Sequence, residues 1–467
     1  MTVQASDVRQ AAPSYRTLNP ATGEVVNDWG IFDEGQAEAA LALAHSTFES
    51  WRQVPLTEKI QHFHKVADLI DERTPELARQ TTVEMGKPLM EATIEAGIAS
   101  SMFRYYADRA EQLLADEVVE VPGMSRTVIR REPLGVVLGI EPWNAPLFQA
   151  MRATAPNLML GNTVIVKPAN ITAGSTLMFD EIFRLAGFPD GAYQTVLTTR
   201  DQTLNFIADP RVRAVTLTGS DAAGALVGER AGKHIKPVVL ELGGSDACVV
   251  LDSADVPKAA AIASACRLIF GGQACALPKR VIATEKVADE FITHYVAAFR
   301  GQVMGDPLAE GTTIGPLSSE SAAETLQAQY DDAVSKGAKV LEPGGRVDGA
   351  GYYFKPAVLT DLTPEMRVYH EEAFGPIGLV FRVSDADAAI KVANDTKYGL
   401  GGVVFSEDLD EARYVAERLD TGGVGINTFL GAPVEIPFGG TKASGIGREL
   451  GTSGMDQFAN IKTYAEG

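Results

Sequence analysis

Residues 135–232 narrow the folds open to this chain more than any other stretch. Short runs of Val, Ile, Leu and Thr alternate there with longer stretches of helical period. Residues 135–140, 163–166, 193–197 and 214–217 read as strands. Residues 146–160, 173–185, 203–208 and 222–232 read as helices. Strand–helix–strand order predicts a parallel sheet covered by helices, because each return to a parallel neighbour must cross a face of the sheet. Open sheets of this kind bind nucleotides at the carboxyl ends of their strands. No Gly-x-Gly-x-x-Gly marks a strand-to-helix turn. Instead, Leu217-Thr218-Gly219-Ser220 leads into a helix. Gly219 permits a tight turn, and the helix start offers free N–H groups to a pyrophosphate. By itself this turn is a weak signal.

The flanks read differently. Residues 1–15 look like a loose arm, and 15–30 like short strands around Thr22-Gly23. Residues 34–114 have helical spacing, broken at Gly86-Lys87-Pro88, where Gly can cap and Pro cannot continue a helix. His62 and His64 would point to opposite sides of a helix, so no shared metal is expected. Residues 118–131 alternate around Pro122-Gly123, a hairpin signal. A second alternating region runs from Glu241 to about Gly454. Its strands are expected at 247–251, 280–284, 339–341, 353–359, 378–383 and 424–427, the last near the active site. Helices are expected after Asp255 and over 385–394 and 409–419.

Composition removes several classes of function. A net charge of −20 argues against nucleic acid and anionic membranes as partners. No apolar run reaches the roughly 18 residues of a membrane-spanning helix, and the N-terminus lacks the pattern of a secretory signal. Three Cys without a Cys-x-x-Cys pair fit a reducing, cytoplasmic setting and no structural zinc.

One carboxylate and one thiol stand out in the second region. Glu241 opens Glu241-Leu242-Gly243-Gly244, and Cys275 follows 34 residues later within Gly272-Gln273-Ala274-Cys275-Ala276. Cys248 sits in an apolar strand and Cys266 in an Ala-rich helix, both ordinary core settings. Glycines precede Cys275, so a substrate can approach it. Together these are a potential general base and a potential nucleophile.

The spacing of Glu241 and Cys275 resembles the aldehyde dehydrogenase superfamily. Further matches occur in the same order along the chain: Asn19-Pro20-Ala21-Thr22-Gly23-Glu24, Pro142-Trp143-Asn144, Lys167-Pro168-Ala169, Thr218-Gly219-Ser220, Glu371-Glu372-Ala373-Phe374-Gly375-Pro376, Pro437-Phe438-Gly439-Gly440 and Ser444-Gly445-Ile446-Gly447-Arg448-Glu449. The resemblance implies an α/β fold with three parts. These are a Rossmann-type cofactor domain (1–114 and 135–240), an α/β catalytic domain (241–454), and a small β oligomerisation arm (115–134 and 455–467). It also implies a homodimer or homotetramer.

The chemistry implied is NAD(P)-dependent oxidation of an aldehyde to a free acid. A thiol of ordinary pKa, about 8.5, is only a few per cent ionised at neutral pH, so the site must activate Cys275 or use that fraction. Attack gives an oxyanion, for which the resemblance supplies the Asn144 amide and the Cys275 backbone N–H. Hydride loss leaves a thioester, which Glu241 would hydrolyse as base, its pKa raised by partial burial. For the cofactor the resemblance implies Trp143, Lys167, Asn170, Gly219, Ser220, Leu242, Glu372 and Phe374, with Glu372 on the nicotinamide ribose and Ser220 on phosphate. NAD-selective relatives often carry Glu at the position of Asn170, where a carboxylate would repel a 2′-phosphate. NADP is therefore expected to be accepted and slightly favoured over NAD.

Arg152, eight residues after Asn144, resembles the succinate-semialdehyde dehydrogenases, in which it binds the far carboxylate. Phe270, Ile269 and Ala432 depart from that subgroup and make the expected pocket more apolar. Succinate semialdehyde is the expected substrate. The same chemistry on a longer aliphatic or aromatic aldehyde is the alternative, and a catalytically silent family member is a third reading.

Overall fold

The computed structural model describes residues 14–467. The loose arm read into residues 1–15 lies outside them except for its last two, and Tyr15 is not loose. It is buried, and its hydroxyl donates to the Thr198 carbonyl at 2.8 Å.

Two parallel sheets carry the molecule. The first has six strands in the spatial order Gly445–Ile446, Val238–Glu241, Val212–Thr218, Val136–Ile140, Thr163–Lys167, Tyr193–Thr195, parallel except for the first. The strand order reverses between Val136–Ile140 and Val212–Thr218. The loops leaving these neighbours diverge and open a crevice. The helices Glu34–Trp51, Leu56–Glu72, Thr74–Met85, Leu89–Leu113 and Pro146–Leu160 supply apolar faces to the cores on either side of this sheet. Gly86 ends one of them in the left-handed region, φ 88°.

The second sheet has seven strands: Lys339–Glu342, Ala357–Thr360, Ile377–Val383, Arg280–Thr284, Ala247–Val250, Gly401–Phe405 and Gly423–Ile426. All pairs are parallel except the first. Its two faces are packed by separate apolar clusters. The strand expected over 353–359 divides at Pro356 into Phe354–Lys355 and Ala357–Thr360, since Pro has no N–H for the ladder. The short helix expected over 203–208 starts earlier, at Arg200. Thr199 caps it and exchanges bonds with Gln202.

The third sheet is antiparallel. Ala459–Glu466 pairs along its length with Arg126–Pro133, which also pairs with Glu117–Val118. Among the described residues no helix is long and apolar enough to cross a membrane.

The carboxyl edge of the first sheet faces the amino edge of the second. Glu241 closes a strand of the first, while Cys275 lies five residues before the Arg280 strand of the second. That junction is where the site forms.

Candidate active site

The loop carrying Cys275 is fixed by unusual backbone. After the helix Val256–Arg267, Phe270, Gly271 and Gly272 all adopt positive φ (53°, 63° and 77°). Position 272 has no room for a side chain, because a Cβ would lie 2.4 Å from the Gly375 carbonyl oxygen. Arg267 is buried and donates to the carbonyls of Gly272 (3.2 Å), Ala373 (2.8 Å), Gly375 and Ile377 (3.0 Å). The Cys275 loop is thus tied to the loop that carries Glu372 and Phe374. Glu91 accepts the Phe270 N–H at 3.0 Å, and Lys87 lies 4.0 Å over the Phe270 ring.

Two cavities meet at Asn144 and Cys275. One, about 280 Å³, opens at the crevice of the first sheet and is lined by Trp143, Gly219, Ser220, Leu242, Glu372 and Phe374. The other, about 400 Å³, is lined by Phe148, Arg152, Ile269, Phe270, Ala432 and Phe438, with Met90, Ile94 and Ile98 of the helix Leu89–Leu113 at its mouth. Most of the sequence-derived residues therefore divide into two walls around one thiol. Lys167 and Asn170 stand one strand away, outside both cavities. Lys167 donates to the Pro168 carbonyl at 2.9 Å and lies over the Tyr15 ring. Burial draws its pKa down to about 8. Asn170 donates to the Ser14 carbonyl at 3.3 Å.

Asn144 is held from its backbone. Its carbonyl accepts from Lys87 Nζ at 3.0 Å, while its side-chain amide has no partner among the described residues. Lys87 in turn pairs with buried Glu95, whose other oxygen accepts the N–H groups of Leu147 and Phe148 at 2.8 and 2.9 Å. A carboxylate thus caps the helix Pro146–Leu160, complementing its positive end.

The Cys275 thiol is pushed up to about 11, chiefly by burial. Lys279 and Arg152 pull it down; Glu372 and Glu241 push it further up. Glu241 lies deeper than the partial burial expected of it. It lines neither cavity, and a Cβ on Gly439 would come 2.4 Å from its Oε1. Among the described residues neither of its carboxyl oxygens has a hydrogen-bond partner, and burial raises its pKa well above the carboxylate range.

Arg152 is no helix-surface residue. It is fully buried; its Nε pairs with Glu449 and its Nη2 donates to Thr218 Oγ1 at 2.8 Å. Thr216 donates to the same Glu449 carboxylate at 2.7 Å. Among the described residues Nη1 has no hydrogen-bond partner, and Arg152 is the only Lys or Arg lining the larger cavity. Sequence reasoning gave no role to Glu449, Lys279, Lys87, Glu91 or Glu95. The one available signal was charge beside a motif, as in Gly86-Lys87-Pro88 and Gly447-Arg448-Glu449.

The smaller cavity has the setting of the nicotinamide and phosphate end of a dinucleotide. It lies at the strand-order reversal, and Ser220 heads the 13-residue helix Asp221–Lys233, its Oγ accepting the Ala223 N–H at 3.3 Å. A cleft at the strand-order reversal and a mainly apolar pocket thus share one cysteine, an arrangement suited to an enzyme that works with a cofactor. The family model described as "Aldehyde dehydrogenase family" matches residues 8–464, and the chain belongs to that family. It is an NAD(P)-dependent aldehyde-oxidising enzyme of α/β fold. It is 45% identical over 448 residues to the succinate-semialdehyde dehydrogenase (NADP(+)) of Deinococcus radiodurans, covering 96% of this chain and 94% of that one. Identity is 42% over 450 residues to succinate-semialdehyde dehydrogenase (NADP(+)) 1 of Mycobacterium ulcerans, covering 96% and 98%. The crystal structure of succinic semialdehyde dehydrogenase from Streptococcus pyogenes in complex with NADP+ superposes with a TM-score of 0.94 at 36% identity, covering 96% of this chain and 99% of that one.

Proposed function

We propose that the chain oxidises succinate semialdehyde to succinate with NADP. The observation that carries this is Arg152: one cation, its Nη1 without a hydrogen-bond partner among the described residues, in a mainly apolar cavity beside Cys275 whose other polar lining is Glu91, Glu95, Asn144 and Gln149. A carboxylate is the group such a nitrogen binds best. The names of the relatives above support both substrate and cofactor.

On this reading Cys275 attacks the aldehyde carbon. The Cys275 N–H and the unpartnered Asn144 amide hold the oxyanion of the thiohemiacetal. Bound NADP supplies the hydride acceptor, and Trp143, Leu242, Glu372 and Phe374 would line its nicotinamide end, with Gly219 and Ser220 at the phosphates. Lys167 and Asn170, one strand over, would face its adenosine end. Glu241 takes a proton from the water that opens the thioester, and its high pKa makes it an effective acceptor once ionised. The cofactor and catalytic domains, divided near residues 240 and 241, correspond on this reading to the two parallel sheets. The strand Gly445–Ile446 returns to the first sheet from the catalytic side. The third sheet serves as an arm between subunits of at least a dimer, and the enzyme works in the cytoplasm.

Initial rates with succinate semialdehyde, hexanal and benzaldehyde, each with NAD and NADP, test the proposal. The semialdehyde should lead in kcat/KM by about a hundredfold, about 2.7 kcal/mol of transition-state preference, and NADP should lead NAD. A second reading is favoured by the exposed Met90 and Ile94 at the mouth of a cavity far larger than a four-carbon substrate. A lead for hexanal or benzaldehyde would establish it and overturn the first.

A further inference from the structure

Lys279 is the last residue before the strand Arg280–Thr284, and its side chain has no exposed surface. An ammonium in that setting is costly unless fully partnered. Three acceptors converge on it: the Ala274 carbonyl at 2.9 Å, the Cys275 carbonyl, and Glu372 Oε1 at 3.0 Å. Glu372 Oε1 also accepts the Gly244 N–H at 3.2 Å. Two glycines make the closure possible. A Cβ at Gly243 would lie 2.6 Å from Glu372 Oε2, and one at Gly244 would lie 2.6 Å from the Cys275 carbonyl oxygen. The strand-end Gly243-Gly244 turn, the nucleophile loop and the Glu372 loop therefore close on one buried cation. Glu372 belongs to the nucleotide cleft, and Cys275 to both cavities.

We infer that Lys279 is a positioning residue that ties the Cys275 loop to the cleft carboxylate Glu372, so that the state of that carboxylate is felt at the thiol. The inference rests on the proposed reading of Cys275 as nucleophile and Glu372 as ribose carboxylate. The charged groups facing the thiol come from four elements. Lys279 and Arg152 favour the thiolate; Glu372 and Glu241 oppose it. Lys279 holds the two carbonyls on either side of the Cys275 N–H, so its loss also frees the backbone that would bind the oxyanion.

The test is the rate of Cys275 alkylation by iodoacetamide against pH, on the full-length, cofactor-free protein. Peptide mapping separates Cys275 from the partly exposed Cys266, and C275S gives the background. Thiolate fraction changes about tenfold per unit of thiol pKa. K279M should slow alkylation at pH 8 about tenfold, and K279R should restore most of it. E372Q should do the opposite and speed alkylation several-fold, because the opposing charge is removed while Lys279 remains. In turnover, K279M should lower kcat at least tenfold with less than threefold change in KM for the aldehyde. If K279M does not fold, E372Q decides alone: faster alkylation supports the inference, and unchanged or slower alkylation overturns it. It is also overturned if both variants shift the rate in the same direction, or if K279M leaves it within twofold of the parent. The alkylation readout needs neither aldehyde nor NADP, so failure of the substrate proposal would leave this result standing.

Discussion

The two cavities that share Cys275 are built by different means. The nucleotide cleft is walled in part by small residues in the turns that follow parallel strands, Pro142, Thr218, Gly219, Ser220 and Gly243, beside the larger Trp143, Leu242, Glu372 and Phe374. Its place follows from the reversal of strand order, so it would survive many changes of side chain. The larger cavity is walled by side chains from separate helices and loops, among them Phe148, Ile269, Phe270, Ala432 and Phe438. Its shape and charge depend on a few residues, and on one cation. The first is a property of topology and the second of packing. A family can therefore keep one cofactor while single substitutions alter which aldehyde fits.

Arg152→Met should give the largest effect. It removes the only Lys or Arg that lines the larger cavity among the described residues and leaves Glu449 buried without it. Breaking such a pair costs about 3–5 kcal/mol, read as a fall in unfolding free energy, and adding Glu449→Gln should recover part of it. In turnover, kcat/KM for succinate semialdehyde should fall about a hundredfold and that for hexanal far less. Equal losses on both aldehydes would mean that Arg152 acts only by holding Glu449.

Gly243→Ala probes the other wall. Its Cβ would collide with Glu372 Oε2 at 2.6 Å and meet the Tyr398 ring at 3.0 Å. An overpacking cost of about 1–3 kcal/mol is expected, with a higher KM for NADP and little change in the ranking of aldehydes. A change in that ranking would mean that the two walls are not independent.

The smallest effect concerns pH. Burial raises Glu91, which holds the Phe270 N–H, to about 7. A carboxyl with its folded pKa raised binds its proton more tightly in the folded state. The stability it contributes is full below its unfolded pKa, near 4.5, and is lost as pH rises towards 7. Glu91→Gln should flatten the fall of Tm between about pH 5 and 7; an unchanged slope would place the effect elsewhere.

The same division explains what the sequence disclosed. The helices Pro146–Leu160 and Ala173–Leu185 end where Gly161 and the apolar period say they should, and the crevice follows from the strand–helix order. The strand Val238–Glu241 was less visible, being a short apolar run ending in Gly243-Gly244 with no pattern of its own. Long charged side chains were the least legible. In a chain read alone, Lys279 and Arg152 look like surface residues. Their burial depends on Glu372 and Glu449, far along the chain and brought near only by the fold. Arg152 was placed beside the substrate by resemblance, but its pairing with Glu449 left no local trace. Likewise, the depth of Glu241 depends on Gly439, which admits its carboxyl by lacking a side chain.

On the proposed reading one thiol serves both cavities, and a buried carboxyl completes the reaction begun there. Glu241→Gln tests it most directly. Mixed with succinate semialdehyde and NADP, this variant should release close to one equivalent of NADPH per subunit and then stall. Mass spectrometry should find the acyl group on the Cys275 peptide. Steady turnover without an adduct, or an adduct on Cys266 instead, would contradict the account.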